Sequence, residues 1–233
     1  MNAPLLAGMA FGQLPRAAAA GDRPLDLLLV LGLLALAPVA VVTLTAFLKI
    51  AVVLSVARSA LGAPQVPPTS AVTGLAFLLT LTIMAPVAEQ AWDAARSAPA
   101  APGVEGTLAT AMRAAEPLRA FLARHARADD RRTFLDIARQ LRPAAAAGAV
   151  ADSDFSVLAP AFVVSELRRA FTIGFLVFLP FLVVDLVVAN VLLALGLTQL
   201  SPTTLSLPFK LLLFVAVDGW SLLARGLAAA YVR

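Results

Sequence analysis

Apolar residues run almost unbroken from Leu25 to Leu48, with Asp26 at the edge and Pro24 at a position suited to the first turn of a helix. At 1.5 Å per residue these 24 residues reach roughly 36 Å, enough for a hydrocarbon core of about 30 Å. A second apolar block, Ile50 to Ala57, is bracketed by Lys49 and Arg58 and ends at Gly62; Pro64, Pro67 and Pro68 then predict a helix stop and a rigid loop. Thr69 or Ser70 can cap the next helix, whose apolar run goes from Ala71 to Ala88. Beyond a polar interval, Ala161 to Val164 leads to Glu166, Arg168 and Arg169, and Ala170 to Leu195 is apolar except for Thr172, Asp185 and Asn190. Gly196 and Pro202 mark a tight turn, followed by Leu205 to Leu223 with Lys210 and Asp218 inside it. Hydropathy thus predicts four membrane helices.

The polar interval is a different kind of sequence. Glu89 to Asp154 holds nine acids and nine arginines, 18 of the chain's 32 charges, and is net neutral. Ser97 to Gly103, with two prolines, and the alanine-rich Pro143 to Val150 read as its linkers. Leu108, Met112, Ala115 and Leu122 fit one helical face, and Phe134, Ile137 and Leu141 another, which predicts two amphipathic helices forming a small cap with solvated charged faces. The expected organisation is therefore an N-terminal tail or weak signal-like segment (1–23), a first hydrophobic helical hairpin (24–91), a hydrophilic helical insertion (92–156) and a second hydrophobic hairpin (157–233). Ala17 to Ala20 could serve a signal cleavage site, but no Lys or Arg precedes Arg16 and Pro4, Gly8, Gly12 and Pro15 interrupt the apolar part.

Composition reinforces the membrane reading: 61% of the 233 residues are hydrophobic and 14% charged, with a mean hydropathy of +0.90. Soluble domains sit near 45–50% apolar and about 25% charged. The absence of cysteine excludes disulfides, thiol catalysis and Cys-ligated metals. The net charge of +4 is scattered and predicts no nucleic-acid surface. A single histidine, His125, excludes an HExxH zinc site and is expected to be satisfied or solvent-exposed. No GxSxG, Walker A or GxGxxG motif occurs, and Ser201 and Lys210 are separated by two prolines, poorly placed for a Ser-Lys pair. The chain reads as a non-enzyme without cofactor or metal.

Pro38, Pro86, Pro180 and Pro208 each fall inside an apolar segment, and Lys49, Arg58, Asp185, Lys210 and Asp218 are lone ionisable groups in or beside such segments. Each such charge costs roughly 2.5–3.5 kcal/mol at a helix centre and normally faces protein or water. The helices are therefore expected to pack on one another or on further copies. Asp185 and Lys210 lie 14 residues before and 11 residues after Gln199, so at 1.5 Å per residue they sit about 21 and 17 Å from the apex of the turn. Nearly level and opposite in charge, they are expected to form an ion pair, within a chain or between chains.

Four stretches carry a resemblance: LTAFLKIAVVLSVARSALGAPQVPP (Leu44 to Pro68), GLAFLLTLTIMAPV (Gly74 to Val87), FVVSELRRAFTIGFLVFLPFLVVDLVVANVLLALG (Phe162 to Gly196) and LSLPFKLLLFVAVDGW (Leu205 to Trp220). In order and separation they are similar to the SctR/FliP family, the export-gate subunits of type III secretion and flagellar systems. The resemblance implies an all-α, membrane-associated fold of kinked hydrophobic hairpins that assembles as an oligomeric helical cone in the bacterial inner membrane. Its implied partners are further copies of the chain, SctS/FliQ-like and SctT/FliR-like subunits, membrane lipid and unfolded proteins as cargo, with no nucleic acid. It further implies the Asp185–Lys210 pair at the same spacing, a family motif loop at Gly62, Gln65, Pro67 and Pro68, and a pore constriction at Gly196, Leu197, Thr198, Gln199 and Leu200.

Flagellar members of the family carry a run of methionines where this chain has Leu197, Thr198 and Gln199. This departure argues against a methionine gasket here, while the likeness of GLTQLSP to injectisome variants, with no convincing signal peptide before the first helix, favours an injectisome over a flagellum. An ordinary interhelical turn is the plainer reading of the same loop. From another functional class, four spans with Asp185 and Lys210 lining a path would suit a small-molecule or ion channel or transporter.

Overall fold

Pro24 opens the first helix, α1 (Pro24–Leu44), which continues through Pro38. It stops at a pair of threonines. The Thr43 hydroxyl donates to the Val39 carbonyl at 2.7 Å and Thr45 Oγ1 to the Val41 carbonyl at 2.5 Å, while the same Thr45 oxygen accepts the Phe47 N–H at 3.2 Å. Side-chain bonds of this kind compete with the backbone ladder, and α2 (Phe47–Ala60) leaves at 55° to the preceding segment. The straight helix expected across Leu25 to Leu48 is thus broken at Thr45, not at proline.

The computed structural model describes residues 24–63, 67–98, 103–143 and 148–232, which contain helices and turns and no strand. The fold is all-α, as the sequence predicts. Six further helices follow: α3 (Thr69–Arg96), α4 (Val104–His125), α5 (Ala128–Gln140), α6 (Phe155–Ala194), α7 (Pro202–Ala216) and α8 (Gly219–Ala229). The tail before Pro24, and Gln65 of the motif loop, lie outside the described residues. Pro68, in extended conformation, occupies the N-cap of α3 without a side-chain cap bond, so Thr69 and Ser70 begin the helix instead of capping it. The Thr69 hydroxyl is engaged by Arg58 Nη1 at 2.7 Å.

The last apolar run also breaks. Asp218 adopts left-handed φ and ψ of 51° and 51°, a region that Asp tolerates better than most residues, and α7 and α8 meet there at 57°. By length and apolar character α3 and α6 can each cross a membrane; the spans number up to four if the bent pairs α1–α2 and α7–α8 each count as one. The fourfold hydropathy pattern therefore comprises two continuous helices and two bent pairs.

Helix α2 is the centre of packing. Ile50, Val53, Leu54 and Ala57 are fully buried, in one cluster with Val72 and Ala76 of α3, Ala170 and Phe181 of α6, and Phe214 of α7. Full burial of a Leu, Ile or Val side chain contributes roughly 1.5–3 kcal/mol. A second cluster joins Phe121 and Leu122 of α4 to Leu158, Ala161 and Phe162 of α6. The polar region folds as two helices that pack onto the apolar ones, and the expected stripes are buried in part: Leu122 is fully buried and Phe134 packs against the second cluster. Leu108, Met112, Ile137 and Leu141 are exposed, whereas Phe121, His125 and Asp130 are buried. Polar contacts add to this packing: Asp130 accepts the Ser165 hydroxyl at 2.7 Å, and Ser165 Oγ accepts the Arg127 N–H at 2.9 Å, so α5 docks through these hydrogen bonds as well as through Phe134.

The outward flank of α6 stays apolar. Phe171, Phe175, Leu176, Val183, Leu186 and Val187 are all more than half exposed, a continuous patch that calls for lipid or protein cover.

Candidate functional site

Two polar clusters interrupt the apolar bundle. In the first, the Gly196–Ser201 turn folds α7 back along α6 and brings together the two residues that the sequence sets level. Lys210 Nζ lies 2.6 Å from Asp185 Oδ2, with 3% of the lysine side chain exposed and 29% of the aspartate. Ser206, one helical turn before Lys210, donates its hydroxyl to Asp185 Oδ1 at 2.5 Å. Both carboxylate oxygens are therefore engaged from α7, which fixes the register of the two helices. Gly62 closes the site from the side of α2: a Cβ there would stand 3.6 Å from Lys210 Nζ. The structure thus sets one end of the motif loop against the ion pair, while Pro67 and Pro68 lead into α3.

The turn has a specific closure. Gly196, at φ 70°, follows the last turn of α6; its N–H bonds the Leu193 carbonyl at 3.1 Å and the Leu197 N–H bonds the Leu192 carbonyl at 2.9 Å. These paired bonds form a Schellman motif, whose left-handed position suits glycine. Leu197, Thr198, Gln199 and Leu200 beyond it are all exposed. They form a protruding apolar and amide tip at the far end of the hairpin.

The second cluster is one that sequence reasoning did not assemble. Glu166 of α6 is completely buried and gathers four helices' worth of chain around its carboxylate. Lys49 Nζ of α2 lies 3.1 Å from Oε2 and Arg169 Nη1 lies 2.7 Å from Oε1. The Tyr231 hydroxyl, just past α8, donates to Oε2, and its ring lies 3.6 Å beneath Lys49 Nζ as a cation–π partner. Arg169 Nη1 also donates to the His125 carbonyl at 2.7 Å, tying in the end of α4. The signals were present as a lone Lys49, a lone acid within the Glu166–Arg168–Arg169 triplet and the chain's single tyrosine, but nothing local pairs them.

His125 is buried against this cluster, 4.4 Å from the Phe121 ring and 5.0 Å from that of Tyr231 by centroid. Its Nδ1 lies 2.9 Å from the Phe121 carbonyl oxygen. Burial pushes the imidazole's pKa below its usual value, helped by Lys49 and Arg169 and opposed by the Phe121 bond and Glu166. Against the expectation from sequence, the residue is neither solvent-exposed nor fully satisfied: its buried Nε2 has no hydrogen-bond partner among the described residues. Among the described residues no three His, Asp or Glu side chains gather to hold a metal ion. What both clusters do is hold helices in register within a bundle whose outside is apolar.

Comparison with known proteins gives this arrangement its context. The FliP family profile matches residues 30–227. Yop proteins translocation protein R of Yersinia pestis is 45% identical over 208 residues, covering 89% of this chain and 96% of its own length. Hypersensitivity response secretion protein HrcR of Ralstonia nicotianae is 44% identical over 201 residues, 85% of this chain and 93% of that protein. Flagellar biosynthetic protein FliP of Caulobacter vibrioides is 41% identical over 213 residues, 91% of this chain and 78% of the relative. Relatives bearing secretion names and a flagellar name thus match this chain over most of its length, and the chain belongs to the FliP family.

Proposed function

We propose that the chain is a core subunit of a type III secretion export gate, forming with related subunits the inner-membrane channel for unfolded substrate proteins. The observation that carries this reading is the 41–45% identity, over most of both chains, to proteins named for translocation, secretion and flagellar biosynthesis. The exposed apolar flank of α6 supports it, since assembly with lipid and further subunits would cover that surface. The role is non-enzymatic. Partners are further copies of this chain and SctS/FliQ-like and SctT/FliR-like subunits.

Within that assembly, the tip formed by Gly196, Leu197, Thr198, Gln199 and Leu200 narrows the pore. Leu197 and Leu200 supply apolar contacts, and Gln199 supplies amide hydrogen bonds between copies. The likeness of GLTQLSP (Gly196 to Pro202) to injectisome variants supports an injectisome rather than a flagellar gate. The Asp185–Lys210 pair and the adjoining Gly62 loop hold the hairpin that presents the tip. Deleting the gene is expected to abolish secretion of effector proteins, and the tagged chain is expected to co-purify with both partner types in a ring-like complex. Normal secretion in the deletion strain, or a purified chain that transports small solutes by itself, would overturn the reading.

A further inference from the structure

At the end of the apolar part of α6 lies an open cleft of about 430 Å³ lined by Lys49, Arg124, Arg127, Arg168 and Arg169, together with His125 and Thr172. Among the described residues no carboxylate lines it. Two buried acids stand behind its walls: Glu166 serves Lys49 and Arg169, and Asp130 lies 3.3 Å from Arg168 and 4.0 Å from Arg127. Arg127 is also 3.8 Å from the exposed Asp129. Arg124 has no carboxylate within ion-pair distance among the described residues. Five cations against so few acids leave the cleft net positive.

Its place along α6 is equally informative. Arg168 and Arg169 immediately precede the apolar run that begins at Ala170, so the cleft sits where the helix passes from polar to apolar surroundings. Arg168, Thr172, Phe175, Leu176 and Leu179 recur at helical spacing on one exposed face. A ligand matched to both parts carries an anion at one end and hydrocarbon at the other. Guanidinium groups are suited to phosphate, which accepts two parallel hydrogen bonds from one arginine.

We propose that this cleft binds the phosphate headgroup of an anionic phospholipid, with Arg124 and Arg168 on the phosphate and the acyl chains along Phe175, Leu176 and Leu179. The inference is independent of the export reading, because it rests on the cleft and the α6 face alone.

The test uses the full chain in its detergent-extracted complex, exchanged into phosphatidylglycerol or phosphatidylcholine and examined by native mass spectrometry and thermal melting. Phosphatidylglycerol is expected to be retained preferentially. Arg124→Gln should weaken that retention about fivefold and Arg124→Glu roughly thirtyfold, from the affinity that one or two charges contribute at an anionic surface. Arg142→Gln, outside the cleft, should leave it unchanged. Equal retention of the two lipids, or full preference in Arg124→Glu, would overturn the proposal. So would inorganic phosphate at millimolar concentration giving the same melting shift with no lipid retained, which would mark a free-anion site. Crosslinking of Arg124→Cys to a protein partner instead of a photoreactive phosphatidylglycerol would also overturn it, by assigning the cleft to a protein carboxylate.

Discussion

Lys49 Nζ stands 3.1 Å from Glu166 Oε2, with 1% and 0% of the two side chains exposed. The pair links α2, the most buried helix, to α6, the longest. A buried pair of this kind is weak evidence of net stability, but losing one partner strands the other. Glu166→Ala leaves both Lys49 and Arg169 without their acid and is expected to cost roughly 3–5 kcal/mol. Lys49→Leu combined with Glu166→Leu should recover most of that loss, since Arg169 reaches solvent. Thermal unfolding of the detergent-solubilised variants checks both outcomes.

The second pair gives a different mutational signature, because Asp185 also accepts from Ser206. Asp185→Ala and Lys210→Ala should each lower recovery of assembled complex and protein secretion. The exchange Asp185→Lys with Lys210→Asp should restore part of both. Restoration stays partial, because the exchanged lysine cannot accept the Ser206 hydroxyl. An exchange no better than the single variants would remove the pair from the account of assembly.

The pH response of stability follows from His125. An unfolded histidine titrates near 6.5, whereas burial lowers the pKa in the folded chain. Between the two values the unfolded state binds a proton that the folded state does not, so stability is retained above about pH 6.5 and lost as the pH falls below it. His125→Phe keeps an aromatic ring between Phe121 and Tyr231 and should flatten this dependence. Melting temperatures of both proteins measured from pH 7.5 to 5 decide the matter.

Gly219 begins α8 directly against a ring. A Cβ there would collide with the Phe214 ring at Cε2, and Phe214 is itself buried. Gly219→Ala should therefore destabilise by about 1–3 kcal/mol through overpacking. Adding Phe214→Leu is expected to cost less than the sum of the two single changes, a coupling readable in a double-mutant cycle.

At the turn tip, replacing Leu197 and Gln199 with glycine should raise ion leakage through assembled gates in planar bilayers. Unchanged conductance would reduce the loop to a connector between α6 and α7.

What the sequence made legible was local. Asp185 and Lys210 could be matched because one short turn separates their helices and the rise per residue sets their heights. Lys49 and Glu166 could not, because the whole of α3, α4 and α5 lies between them and no helical arithmetic spans that distance. The breaks in the apolar runs were hidden for another reason. Hydropathy is blind to a threonine hydroxyl that takes over a backbone bond at Thr45, or to an aspartate in a left-handed conformation at Asp218. The prolines that drew attention, Pro38, Pro86, Pro180 and Pro208, all sit inside continuing helices.

The bare outer flank of α6 has a thermodynamic corollary. In this chain a few ions are shielded beside an apolar core while aromatic and aliphatic groups also cover the rim. Anything that binds the folded rim shifts the unfolding equilibrium by mass action. The midpoint of denaturation is consequently a function of amphiphile activity and subunit concentration, and the same polypeptide has as many stabilities as it has surroundings.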